Sequence, residues 1–147
     1  NYIVTRRGEE IQALVYNIAY LDHLAQANTD FTSDYEGDVY TLFEDKPTLR
    51  LQLEVRCPDA GYRLSRYELD REHGSAYDRW VEMHSPREPE KADVDYLLEA
   101  AALQRSVSYV RAQEGKLMLE CAVPAHGCCL LVLSPVSDAP AQKDGGV

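Results

Sequence analysis

Residues able to do acid–base or nucleophilic chemistry crowd into one stretch, Asp70 to Trp80, which reads DREHGSAYDRW. His73 stands between acids, with Asp70 or Glu72 placed to orient its imidazole and Ser75 as a nominal nucleophile. The spacing does not suit that chemistry: a nucleophile two positions from its base in a short turn lacks the geometry for proton transfer, and triad partners come from separate segments. A structural reading needs less. Ser75-Ala76-Tyr77-Asp78 has the form of a capping box, which satisfies the open amide donors at a helix start. Tyr77, Trp80, Val81 and His84 then recur at helical spacing and predict one apolar face. Arg71, Glu72, His73, Tyr77 and Trp80 are accordingly candidates for an interface: charged groups need partners or water, and tryptophan is enriched where surfaces meet.

A second concentration of chemistry lies in 19–47, a long loop that carries Phe31, Tyr35, Tyr40 and Phe43 among Asp22, Asp30, Asp34, Glu36, Asp38, Glu44 and Asp45. Nearly thirty residues without strand or helix pattern are unusual in a compact domain and are commonly functional. Aromatic faces cover the apolar faces of sugars while acids accept hydroxyl hydrogens, so Tyr35 and Tyr40 are candidate sugar contacts. Packing under the loop is the alternative. The four cysteines, Cys57, Cys121, Cys128 and Cys129, show no metal-ligand spacing, and no cofactor or metal is expected. They read as buried thiols in a reducing, cytoplasmic setting, with a Cys57–Cys121 bridge left open.

These residues are held by a chain of 147 residues with 45% hydrophobic content, enough for one domain. A formal net charge of -10 argues against nucleic acid and anionic membranes as partners. No apolar run approaches the ~18 residues of a membrane span. The chain opens at Asn1 on a strand-like run, with no leader pattern, and is expected to be a fragment of something longer.

Strand patterns appear at Tyr2–Thr5 and Ile11–Asn17, joined by a Gly8-Glu9-Glu10 turn, and at Thr48–Val55 and Tyr62–Leu69, which read as a second, half-buried hairpin around Pro58-Asp59-Ala60-Gly61. Three more follow at Ser106–Arg111, Lys116–Val123 and Cys128–Leu133. Between them, 70–104 is a helical insertion of two helices, the second spanning Glu90–Ala102 with a stripe of Val94, Leu97, Leu98 and Ala101. The fold class is mainly β: an antiparallel β-sandwich of about seven strands with a two-helix insertion, over residues 1–134. Residues 135–147, PVSDAPAQKDGGV, form an expected disordered tail.

In this order, YIVTRRGEEIQALVYN, YRLSRYELDREHGSAYDRWVEM, the VDYLL helix and the VPAHGCCLLVL strand resemble the C-terminal β-sandwich region of glycoside hydrolase family 39, the β-xylosidase family. The resemblance spans nearly the whole chain except the tail. It departs at Glu90–Asp93, where EKAD replaces an expected Thr-Pro type start. The resemblance implies a retaining glycosidase whose (β/α)8 barrel, typically ~250 residues, cannot lie within this chain. Its two catalytic carboxylates would sit on barrel strands. None of that motif maps here, so no catalytic residue is carried over, and Glu54, Glu68, Glu72 and Glu120 are assigned to solvated faces or salt bridges. Two functions follow. One is a non-catalytic accessory domain that stabilises and borders the barrel of the same full-length chain. The other is a carbohydrate- or protein-binding module of a sugar-responsive regulatory protein, with xylo-oligosaccharide as a ligand.

Overall fold

The computed structural model describes residues 1–22 and 39–136. Tyr35 and residues 137–147 of the expected tail lie outside them, while Pro135, expected in the tail, ends the last strand. Seven antiparallel strands form two sheets: β1 (Tyr2–Arg7), β2 (Glu10–Asn17), β3 (Leu49–Arg56), β4 (Gly61–Leu69), β5 (Gln104–Arg111), β6 (Lys116–Val123) and β7 (Gly127–Pro135). The larger sheet runs β1-β2-β7-β4-β5 and the smaller is β3-β6. The helices of the insertion are α1 (Tyr77–Glu82) and α2 (Lys91–Ala100).

Alternation along the strands builds the core. Ile11, Ala13 and Val15 of β2, Cys129, Leu131 and Leu133 of β7, and Leu117, Leu119, Cys121 and Val123 of β6 are buried at every second position. Side chains two apart share a sheet face, so each strand lends one row to the space between the sheets. Fully burying one such aliphatic side chain stabilises by about 1.5–3 kcal/mol. The first hairpin forms as expected, with Arg7 opposite Glu10. Gly8, at φ +63, supplies the left-handed conformation that a two-residue turn requires at its first position.

The second predicted hairpin does not form. β3 pairs with β6, and β4 pairs with β5 and β7. The segment Cys57–Ala60 therefore crosses between sheets instead of folding β4 back beside β3. Apolar alternation makes both strands half-buried, but it is satisfied equally by a partner in the same sheet or by one across the core.

The helical insertion also departs from its pattern. Ser75 is not an N-cap side chain: α1 starts after Ala76 without a side-chain cap, and Ser75 Oγ accepts only a long 3.4 Å bond from the Tyr77 amide. The capping box is instead at α2, where the Glu90 amide donates to Asp93 Oδ2 at 3.0 Å and the Glu90 side chain accepts from the amide of Asp93. EKAD thus caps its helix by carboxylate exchange, without the Thr-Pro start. His84 is not on the apolar face of α1, because the helix ends before it and His84 and Ser85 take φ 65 and 50. Neither helix contains a buried residue. The α2 stripe lies open, with Leu98 64% exposed. No helix of the described residues is long and apolar enough to cross a membrane.

All four cysteines are free, including Cys57 and Cys121. Cys121 and Cys129 share a thiol hydrogen bond in the core; together with burial it holds Cys129 well above the ordinary thiol range. Burial alone raises half-buried Cys128.

Candidate functional site

Asn17 fixes one end of the sandwich. It is buried, and its Nδ2 donates to the main-chain oxygens of Pro47 and Val123, both at 3.1 Å, while its own main-chain oxygen accepts from the His126 amide at 2.7 Å. The end of β2, the entry to β3, the end of β6 and the turn into β7 meet on this one side chain and its backbone. The ends of the 19–47 segment are also ordered against each other: Leu21 bridges Phe43, and the Glu44 amide donates to the Tyr20 oxygen at 2.9 Å. Residues Val39–Leu42 form one 3-10 turn.

This brings Tyr40 and Phe43 to the turn before β7. The His126 ring packs edge-on to Phe43 at 4.4 Å and lies 5.9 Å from Tyr40. His126 adopts φ 60, a backbone that costs of order 1–3 kcal/mol outside glycine and persists where surrounding contacts fix it. Tyr40 meets Tyr77 at 5.9 Å in a T-shaped pair, and the Arg71 guanidinium lies over the Tyr40 ring at 4.0 Å. Arg71 also donates to Asp78 Oδ2 at 2.7 Å. The charged approach and the long loop thus converge on one open cleft of about 730 Å³, whose walls include Tyr40, Phe43, Lys46, Asp70, Arg71 and His126.

Within DREHGSAYDRW, Asp70 organises the turn. Its Oδ1 accepts from the Glu72 amide at 2.9 Å, the His73 amide at 2.8 Å and His73 Nδ1 at 2.9 Å. Asp70 does orient the imidazole, as its position suggested, but in a closed turn: the Asp70 amide also donates to the His73 oxygen at 2.8 Å. Gly74 follows at φ +74, and a Cβ there would meet Leu69 Cδ1 at 2.7 Å and Leu103 Cδ2 at 3.2 Å. The Gly-Ser step is therefore a packing requirement, where the insertion lies against the ends of β4 and β5. Trp80 is half-buried and donates from Nε1 to the Pro86 oxygen at 3.1 Å. The four glutamates assigned to solvated faces sit apart. Glu54 lies 4.0 Å from Lys116, Glu68 lies 3.5 Å from Arg66, Glu120 accepts from Gln52 at 3.1 Å, and Glu72 is exposed. Among the described residues, no group of three or more His, Cys, Asp or Glu is gathered as metal ligands.

The sequence pattern groups Arg71 with Tyr77 as an interface and sets Tyr40 apart as a sugar contact; the structure joins them, and adds His126.

No protein-family model matches the sequence, and no curated protein matches it. Solved structures do share its fold. A GH39 enzyme from Xanthomonas axonopodis pv. citri superposes with a TM-score of 0.66 at 20% identity, over 92% of this chain and 26% of the enzyme. A monomeric β-xylosidase from Caulobacter crescentus CB15 gives a TM-score of 0.67 at 17% identity, over 92% of this chain and 26% of its own. A bacterial orthologue of human α-L-iduronidase gives 0.57 at 16% identity, over 95% and 22%. This chain spans about a quarter of the length of the enzymes it resembles.

Proposed function

We propose that this chain is the accessory β-sandwich of a larger glycoside hydrolase of the β-xylosidase type, and that it stabilises and borders a catalytic barrel without turning over substrate itself. One observation carries the reading: the outer face of the larger sheet carries an apolar band among polar neighbours such as Gln12, Arg63 and Arg105. The band comprises Ile3, Leu14, Leu130, Val132, Val107 and Tyr109, by register with one another across β1, β2, β7 and β5. Tyr109 is 73% exposed. An antiparallel sheet with one face in water alternates apolar and polar, whereas one covered on both faces does not. Neither helix packs extensively on the larger sheet among the described residues. A barrel supplied by the rest of the polypeptide would cover its outer face, with α1 and the Arg71–His73 turn at the border. Four free thiols fit a reducing, cytoplasmic compartment.

The experiment compares this chain with the longer protein. Tyr109→Asp is expected to leave the melting temperature of the 147-residue chain unchanged and to lower that of the longer protein. Trp80→Ala should cost the longer protein more than the chain. Equal tolerance in both proteins overturns the docking. Turnover of an aryl β-xyloside by the purified chain, lost on substituting one of its own carboxylates, overturns the non-catalytic role.

The cleft at Tyr40 supports a second reading, a binding module. Its aromatic wall with Asp70, Glu44 and Asp45 at the rim suits a sugar, and xylo-oligosaccharide is the ligand to titrate. Weak or undetectable heat is expected. Submicromolar affinity lost in Tyr40→Ala would make binding the principal function.

A further inference from the structure

The two-stranded sheet is narrower than the sheet it packs on, and the margins it leaves uncovered are chemically opposite. Beyond β6, the core-side face of the larger sheet shows Arg66, Glu68, Gln104, Ser106 and Ser108, placed by register beside Leu131, Cys129 and Leu64. Arg66 pairs with Glu68 at 3.5 Å and donates to the main-chain oxygen of Glu120, on the open edge of β6, at 2.6 Å. This margin is polar, and an inward charge that occupies an edge carbonyl obstructs further strand pairing.

Beyond β3 the margin is apolar. Tyr2 and Val4 stand opposite Val15 and Ala13 and so face coreward, yet they are 61% and 50% exposed. With Ile11, Ala13, Leu51 and Leu53 they line a groove of about 530 Å³ between β1 and β3. The backbone beside it is set for pairing. The Cys57 amide donates to the Gly115 oxygen at 3.0 Å in the β3–β6 register. Hydrogen-bonded pairs alternate along an antiparallel ladder, so Leu51, Leu53 and Val55 bond to β6. The amides and carbonyls of Arg50, Gln52 and Glu54 then point into the groove. At its end, Arg6 donates to the Arg56 oxygen at 2.6 Å.

We propose that this groove seats one further strand: an extended segment with apolar side chains at alternate positions, supplied by the same polypeptide from beyond these 147 residues. It hydrogen-bonds to the outer edge of β3 and covers Tyr2 and Val4. The polar face beyond β6 needs no such cover. A second copy does not fit, because β1 and β2 line the groove beside β3, and pairing β3 to β3 would bring the partner's own larger sheet into the space that β1 fills. The source in the same polypeptide rests on the reading of this chain as one part of a longer protein; the solved structures of this fold are about four times its span.

Residue-resolved amide exchange on the chain and on the longer protein tests this. In the chain, the Leu51 and Leu53 amides are protected and those of Gln52 and Glu54 exchange freely. In the longer protein, Gln52 and Glu54 slow by ~100-fold or more, as expected for interior strand hydrogen bonds. Gln52→Pro removes an outward amide at a position where an edge strand tolerates proline. It lowers the melting temperature of the longer protein more than Met118→Pro, which removes an outward amide on the obstructed edge of β6. Protection of Gln52 and Glu54 already in the chain overturns the proposal, in favour of its own residues if independent of concentration or of a second copy if not. Free exchange in the longer protein also overturns it. Tyr109→Asp reads the outer sheet face independently, so a barrel that docks without a strand at β3 is told apart from the absence of a barrel.

Discussion

Leu131→Ala lowers the stability of the chain by about 3–5 kcal/mol, the range for a leucine removed from a packed core, measured by urea denaturation. Leu131 is 1% exposed and lies at the centre of β7, opposite Ala13 of β2 on one side and Arg66 of β4 on the other. Strand β7 is the middle of the larger sheet, so the cavity opens where rigid strands on both sides limit collapse. Leu130, its neighbour, projects to the outer face and is half-buried. Leu130→Ala is expected to cost this chain much less, on the order of 1 kcal/mol for a partly exposed side chain. Equal losses at the two positions would mean that the inner and outer faces of β7 are wrongly assigned.

Asn17→Ala is the second large effect, expected at about 1–3 kcal/mol, the cost of leaving a buried carbonyl without its donor. Pro47 and Val123 would both lose the donor that Nδ2 supplies. The damage is directional. Pro47 leads into β3 and Val123 ends β6, three residues before His126, so the loss loosens the mouth of the cleft before it loosens the β1–β2 hairpin. Amide exchange should therefore rise first at His126 and at residues 43–46, with the Ile3 and Leu14 amides unchanged. A uniform rise over all strands would show that Asn17 contributes to global stability alone and does not position the cleft.

Within the fold, the sequence by itself determined where the strands lie and which of their side chains share a face. Period-two rows in IQALVYN, TLRLQLEV and CCLLVL place strands and their buried faces, because side-chain direction alternates whatever the partner. Gly8 requires its turn, and the order of segments from YIVTRRG to VPAHGCCLLVL carries the family resemblance that the solved structures bear out at the level of fold.

What only the tertiary structure decided is which strands meet. Alternation makes β3 and β4 half-buried but does not say that β3 joins β6 across the core, since a half-buried strand is equally content in either sheet. Helix spacing marked Tyr77, Trp80 and Val81 as a face, but left-handed residues at His84 and Ser85 cut α1 short. The capping signal lay at Ser75, while the carboxylates that close a box belong to Glu90 and Asp93. The cleft was legible only in fragments. Tyr40, the Arg71–Tyr77 stretch and His126 lie far apart in sequence; they become one site through ring contacts at Tyr40, with the turn at His126 held by Asn17, whose role depends on carbonyls 30 and 106 residues away. Contacts of that separation leave no local pattern, because their free energy is realised only when the two sheets close.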